Sequence, residues 1–499
     1  MTYHVDHFIA GKTQSSTTPN HHPITNPALG TICGHVDFAS QTDVTKAITA
    51  AQQAFPEWSQ SSPVRRARIL FRFKELLEKN AKELAAHVTR EHGKSLADAG
   101  GSIARGIELA EHLCAIPSQL RGTYSANVSR DVDCYSIRQP LGVCVGISPF
   151  NFPVMVPIWL MLPAIACGNT FILKPSEQDP SAPLMLAQLL HDAGCPDGVI
   201  NVVQGDKSVV TELIEHPAVQ AVSAVASTPV AESIYLTATR NGKRAHTFGG
   251  AKNHAVIMPD ADLDQAASAL IGACYGSAGE RCMAISVVVA VGDKVADALM
   301  ERFQRSIPAF RIGPGEQNPD LGPLISAAHR QRVMDYIGSG IEEGATCAID
   351  GRGCRVPGYE QGFFLGPTLF DHVTPNMKIY QEEIFGPVMC VVRVPDFSTA
   401  VNLVNRHPYG NGTAIFTRDG ATARAYADQI QVGMVGINVP IPVPIAYHPF
   451  GGWKRSMFGD IPMHGDLAIQ FYTKNKSITE RWQQDALHVK SQFNMPTHD

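Results

Sequence analysis

Three short apolar runs decide the fold: Thr170-Phe-Ile-Leu-Lys174, Val199-Ile-Asn-Val-Val203 and Val219-Gln-Ala-Val-Ser-Ala-Val225. They are separated by helix-patterned stretches at Pro183–Ala193 and Lys207–Glu215. Strand, helix, strand at this spacing predicts a parallel sheet with crossover helices, because parallel strands need a long connection to return to the same edge. Working outward, a second alternating region starts near Ala255 and runs through strands near Ile285–Val291, Phe364–Leu369, Met389–Val394 and Thr413–Phe416. The expected fold class is therefore α/β, with two α/β domains. Upstream, helical periodicity covers Val44–Phe55 and Val64 to about Glu91, where Ile69, Leu70, Phe73, Leu76 and Leu77 share one face. A third helix is expected from Gly101 to about Ala115, and residues 1–30 read as short edge strands and turns. Residues 121–139 read as an extended hairpin, and Leu467–Ile478 alternates as a strand able to return and pair with it in a separate arm.

Composition narrows the function. The chain has 499 residues, 44% apolar and 17% charged, with a net charge of −5, which describes a globular protein of more than one domain. It has no Lys/Arg-rich block to neutralise phosphates, so a nucleic-acid partner is not expected. The N-terminus lacks a cationic segment followed by a long apolar run, and a cytoplasmic location with reduced thiols is expected. Eleven cysteines at irregular spacing, without C-x-x-C, argue against a disulfide framework or a zinc site. No charged residue lies between Arg138 and Lys174, yet Pro140, Pro149, Pro153, Pro157 and Pro163 interrupt that stretch, so a buried loop, strand and helix fit it better than a membrane span. No repeat appears, and the last dozen residues read as a loose tail.

Familiar phosphate and metal motifs are absent: there is no G-x-G-x-x-G, no P-loop, no H-E-x-x-H and no G-x-S-x-G. Chemistry is instead suggested by Gly276-Ser-Ala-Gly-Glu-Arg-Cys-Met-Ala284, where Cys282 follows a glycine-rich turn and Arg281. An adjacent guanidinium and free backbone N–H groups lower a thiol pKa and make it a nucleophile; the alternative is a buried structural cysteine. In Ser148-Pro-Phe-Asn-Phe-Pro153 a lone amide, Asn151, is either a turn cap or an N–H donor to an oxyanion formed when Cys282 attacks a carbonyl. Lys174 and Glu177 end a strand at the edge where ligands bind open α/β folds. They suit the two hydroxyls of an adenosine ribose, or form a surface ion pair.

Taken together, Ser148–Pro153, Ile172–Glu177, Gly249-Gly-Ala-Lys-Asn-His254, Gly279–Ala284, Glu382-Glu-Ile-Phe-Gly-Pro387 and Phe450-Gly-Gly-Trp-Lys454 resemble the aldehyde dehydrogenase superfamily in order and approximate spacing, from about residue 5 to 482. Ser136-Ile-Arg-Gln-Pro-Leu-Gly-Val-Cys, Gly250-Ala-Lys-Asn-His, Gly436-Ile-Asn-Val-Pro-Ile-Pro-Val-Pro and Ile469-Gln-Phe-Tyr-Thr are similar to its CoA-acylating, methylmalonate-semialdehyde branch. The resemblance implies an NAD-binding domain from 1–120 and 141–250, a catalytic domain over 251–450, and an oligomerisation arm from 121–140 and 463–485, in a homodimer or homotetramer. It implies Cys282 as nucleophile and Asn151 with the Cys282 N–H as oxyanion hole. The implied cofactor contacts are Ser148, Phe150, Lys174, Glu177, Gln178, Ser227, Gly249 and Glu383, with Glu177 disfavouring the 2′-phosphate of NADP. Arg105 and Arg281 are implied to hold a distal carboxylate of a semialdehyde, with CoA as co-substrate and no metal.

One position separates the branches. Hydrolytic relatives carry a Glu in a Glu-Leu-Gly-Gly-Lys motif that activates water; with Lys252 setting the register, Phe248 stands there, and a one-residue slip gives Thr247. Neither takes a proton at neutral pH, so the acyl-enzyme is expected to wait for a thiol such as CoA. The implied reaction converts malonate or methylmalonate semialdehyde to acetyl-CoA or propionyl-CoA with loss of the carboxyl group. Departures from the family pattern are Ala224 where Phe is usual, Ala226 where Gly is usual, and Phe450–Ser456, which is more like the hydrolytic branches. The competing readings are a hydrolytic aldehyde dehydrogenase, a silent scaffolding paralogue whose cofactor site is spoiled, and, with least support, a thiol protease.

Overall fold

A computed structural model describes residues 2–17, 20–129 and 131–482; the expected tail and residues 483–485 of the arm lie outside these. An eight-stranded sheet forms the first α/β layer. Its middle five strands are parallel, in the order Arg244–Phe248, Val219–Val225, Val143–Ile147, Thr170–Lys174, Ile200–Val202. His7–Ile9 and Lys12–Gln14 extend one edge, and Met457–Phe458 returns antiparallel to close the other. All three runs that opened the reading lie in this sheet, side chains buried apart from the exposed Gln220 and partly buried Val225, as expected where helices cover both faces.

The helices follow from local sequence. Ser62 caps Pro63–His92 by accepting from the Arg65 N–H, with proline at the first helical position, where its missing N–H costs nothing. Gly93 ends the helix at φ 95°, a left-handed conformation that glycine adopts without penalty. Phe73 and Leu77 are wholly buried on its inner face, each contributing about 1.5–3 kcal/mol by leaving water. Met155–Ala166 is buried along its whole length. Its hydrophobicity reflects a central core position, and among the described residues no helix is long and apolar enough to cross a membrane.

A seven-stranded sheet forms the second layer: Thr346–Ile349, Thr368–Asp371, Val388–Val394, Ile285–Val291, Asn253–Ile257, Gly412–Phe416, Met434–Ile437, parallel except for the first. The strand expected at Phe364–Leu369 begins instead at Thr368, because Gly366-Pro367 interrupts the ladder where proline has no N–H to donate. Val132–Pro140 pairs with Tyr124–Ser129 and, antiparallel over nine residues, with Thr473–Arg481. The alternation read over Leu467–Ile478 is half right: Gly465–Phe471 is helical, with Ala468, Ile469 and Phe471 buried, and only Thr473 onward is strand. Short apolar runs fit both periods, and here the helix wins because Phe471 lies flat on His246, ring centroids 3.5 Å apart.

Candidate active site

Cys282 sits where the two layers meet, at the wall of two adjoining cavities. Its loop is held open by backbone in the left-handed region at Ser277, Ala278 and Gly279. At Gly279 a Cβ would stand 2.2 Å from the Gly386 carbonyl oxygen, so no other residue fits without moving that segment. The Cys282 carbonyl accepts from Asn253 Nδ2 (2.8 Å) and Asn411 Nδ2 (3.1 Å), which fixes the Cys282 backbone from the second sheet.

The larger cavity encloses about 330 Å³. Ser148, Phe150, Asn151, Lys174, Glu177, Ser227, Gly249 and Glu383 line it together with Cys282. Lys174 Nζ donates to Glu177 Oε2 at 3.1 Å, with Lys174 buried and Glu177 a third exposed. Ser227 is the N-cap of Thr228–Arg240, and its side chain makes no capping bond, leaving the hydroxyl and the first helical N–H groups for an anion. Ser148 Oγ is likewise buried without a partner. A dinucleotide fits this inventory: a ribose-binding pair at one end, an uncapped helix N-terminus for a pyrophosphate, and Cys282 at the other end. Gln178 is not among the lining residues; its N–H donates to Ser176 Oγ. The two alanine departures separate here. Ala224 is wholly buried between Ile147 and Thr247 in the sheet core and touches no ligand space, whereas Ala226 lines the cavity.

The smaller cavity, about 170 Å³, lies on the other side of Cys282 and is lined by Phe152, Trp159 and Phe450 together with Arg105, Arg281 and Asp98. Both guanidiniums expected from the sequence are here, and both already have partners. Arg281 contacts Asp98, which Lys94 Nζ also approaches at 3.4 Å; Arg105 reaches Glu108 Oε2 at 2.5 Å and donates to the Pro444 carbonyl at 2.6 Å. Lys94 and Asp98 went unnoticed in the sequence, although Gly-Lys-Ser immediately before a capped helix was a signal that the lysine is fixed in a loop.

Asn151 is held at both ends. Its backbone carbonyl accepts from the fully buried Lys94 Nζ (2.7 Å), and its Nδ2 donates to the Glu280 carbonyl (3.1 Å), leaving a second amide N–H to donate. Burial keeps Glu280 well above the usual carboxyl range. The thiol departs from the expectation: burial first, and the Glu383 carboxylate second, push Cys282 up to about 12, against the lowering effect of Arg281. Arg281 is itself paired with Asp98. Glu383 is itself pushed up to about 7 by burial, while Ala251 N–H donates to it at 2.9 Å. Phe248 ends its strand 4% exposed, against His246 and Phe450, and the Thr247 hydroxyl is spent on the Ala231 carbonyl. Neither offers a base.

A partly buried thiol, an amide donor beside it and a dinucleotide-shaped groove suit nucleophilic oxidation of an aldehyde, and comparison with known proteins agrees. The Pseudomonas aeruginosa malonate-semialdehyde dehydrogenase is 56% identical over 473 residues, covering 95% of each chain. The human mitochondrial acylating methylmalonate-semialdehyde/malonate-semialdehyde dehydrogenase is 44% identical, over 98% of this chain and 92% of its own. A Sinorhizobium meliloti 1021 protein solved in complex with NAD superposes with a TM-score of 0.96 at 52% identity, over 97% of this chain and 99% of its own. With the aldehyde dehydrogenase family model matching residues 13–478, the chain belongs to the aldehyde dehydrogenase family.

Proposed function

We propose that this chain is an NAD-dependent, CoA-acylating dehydrogenase of malonate or methylmalonate semialdehyde. The observation that carries the reading is the setting of Cys282 in the smaller cavity. The only carboxylate lining that cavity among the described residues, Asp98, is held by Arg281 and Lys94, and Phe248, which stands in the register of the hydrolytic relatives' Glu, lies buried outside it. Relatives bearing the acylating and malonate-semialdehyde names support the substrate class.

In this reading the aldehyde enters beside Phe152 and Trp159, and its distal carboxylate shares Arg105 and Arg281 with their present partners. The Cys282 thiol gives its proton to solvent and its sulfur forms a bond to the carbonyl carbon as the C=O π electrons move to oxygen. Asn151 Nδ2 and the Cys282 N–H donate to the resulting oxyanion, and Lys94 keeps the Asn151 backbone in place. NAD, for which Lys174, Glu177, Ser227 and Glu383 line the groove, supplies the two-electron acceptor for the aldehyde hydrogen. What remains on Cys282 is a thioester. Its carbonyl is an electron sink for the carbanion left when the β-carboxyl departs as CO₂; that carbon takes a proton from water to give the acetyl or propionyl thioester, and the CoA thiol then takes the acyl group, its proton returning to the Cys282 sulfur.

The Cys282→Ala variant should form no NADH. Intact-mass measurement after mixing enzyme, NAD and semialdehyde without CoA should show one acyl adduct on the Cys282 peptide; no adduct, with NADH still forming, would sink the thioester route. The sheet of Val132–Pro140 and Thr473–Arg481 is proposed as an oligomerisation arm, since its strands Tyr124–Ser129 and Thr473–Arg481 present open edges.

A further inference from the structure

Far along the chain from Cys282, the N-terminal three-stranded sheet of Tyr3–Val5, Thr31–Asp37 and His21–Asn26 gathers side chains that the dehydrogenase reaction does not use. His21 is the direct cross-strand partner of Asp37, and His4 stands opposite His35 on the other side of the central strand. This pairing brings one ligating atom each from His4, His21 and Asp37 within 4.8 Å of one another. His4 Nε2 lies 3.2 Å from Asp37 Oδ2 and 3.4 Å from Asp6 Oδ1, and His21 Nδ1 lies against Asp37 Oδ1.

Two features distinguish the cluster from a surface ion pair. The Asp37 side chain is only 2% exposed, yet its Oδ1 receives no hydrogen bond of acceptable geometry although an imidazole nitrogen is beside it. Asp6 Oδ1, also buried and facing His4, has no hydrogen-bond partner either. A buried carboxylate oxygen without a donor is costly, and a cation bound beside Asp37 satisfies it. Bonds of 2.0–2.1 Å in a tetrahedron place neighbouring ligand atoms roughly 3.3–3.4 Å apart, close to the 3.2 Å between His4 Nε2 and Asp37 Oδ2. Two imidazole nitrogens with a carboxylate are the donors of a borderline first-row divalent ion with water in the fourth position, not of calcium or magnesium, which take oxygen alone.

We propose that His4, His21 and Asp37 form a binding site for a divalent transition-metal ion, zinc fitting best, with Asp6 beside His4. Such an ion ties the first strand to the hairpin that follows. No sequence motif announces it, because the three ligands come from three strands whose pairing brings them together.

The test uses untagged, metal-stripped full-length protein. Zn²⁺ is titrated against a chromophoric chelator, and Co²⁺ is used as a spectroscopic probe, with Cys282→Ala alongside to separate thiolate binding. The proposal expects one equivalent bound in both wild type and Cys282→Ala, with tetrahedral Co²⁺ absorption lacking a thiolate charge-transfer band. His4→Ala and His21→Ala should each weaken binding by about a hundredfold or more. Both histidine side chains are exposed, at 38% and 59%, so these variants should fold and keep wild-type NADH formation. Zinc should raise the melting temperature of the wild type and leave that of His21→Ala unchanged. Equal affinity in the wild type and both histidine variants, or no stoichiometric binding by the wild type, overturns the site.

Discussion

The thiol of Cys282 gives the sharpest test of the site's electrostatics. An ordinary cysteine of pKa 9.0 raised to about 12 has about a thousandfold less thiolate at pH 8. In the enzyme without NAD, iodoacetamide should therefore label Cys282 slowly, with a rate that climbs tenfold per pH unit through pH 10 and does not level off. Glu383→Gln perturbs this in a defined way. The Glu383 carboxyl titrates at about 7, so its charge opposes thiolate formation only above that pH. Burial is the larger cause of the thiol's shift and Glu383 the second, so removing the charge should lower the Cys282 pKa by about one unit at most, or ~1.4 kcal/mol. The variant should thus label severalfold to about tenfold faster at pH 9 and match the wild type below pH 6, where Glu383 is protonated. Labelling is read by peptide mass spectrometry, since four other cysteines, Cys33, Cys134, Cys347 and Cys354, are also partly exposed. A wild-type plateau at or below pH 8, or identical rates for the two proteins at pH 9, would refute this account of the thiol.

Other expectations follow from named contacts. Asn151→Ala removes the oxyanion donor, and kcat should fall by about 10²–10³ while Cys282 alkylation is retained; an unchanged kcat would remove Asn151 from the mechanism. Asp98→Asn releases the Arg281 guanidinium, so KM for a carboxylate-bearing semialdehyde should fall severalfold with no change for propanal, whereas parallel shifts for both would deny the guanidinium a role in selectivity. Lys94→Met takes away the cation that fixes the Asn151 backbone and should lower kcat more than it alters KM; the reverse pattern counts against positioning. His246 and His464 are held by burial at about 3, so the folded protein refuses protons that the unfolded chain takes up below about pH 6.5. Their contribution is complete above that pH and lost as pH falls toward 3, and the melting temperature should drop steadily over that window; a flat profile from pH 7 to 4 would contradict it.

What was legible in the sequence was local. Strands such as Ile285–Val291, nearly all buried, are valine-rich runs without regular alternation of polarity, and caps such as Ser62 and Gly93 bracket their helix within its own residues. Lys174 and Glu177 were legible at the end of a strand, whereas Ser148, Phe150, Ser227 and Glu383 were implied only by the family resemblance; the structure brings them to one groove because loops after the parallel strands converge there. What was not legible depended on contacts distant in the chain. Nothing near Arg281 announces Asp98, 183 residues earlier, which occupies the guanidinium, nor the burial and Glu383 charge that raise the Cys282 thiol. Ala224 and Ala226 look equivalent in the sequence, yet the strand ends at Val225, so the first is core and the second faces ligand space. Phe471 was read as strand because a short apolar run fits both periods until its stacking partner is known.

The account rests on how the thioester leaves Cys282. Purified protein mixed with malonate semialdehyde and NAD, with and without CoA, measures this directly by NADH formation and product identification. Without CoA, a burst of one NADH per site followed by little turnover is predicted; with CoA, steady formation of acetyl-CoA and CO₂ matching NADH. Steady CoA-independent turnover to a free acid would show that another group activates water, and would contradict the reading of Phe248.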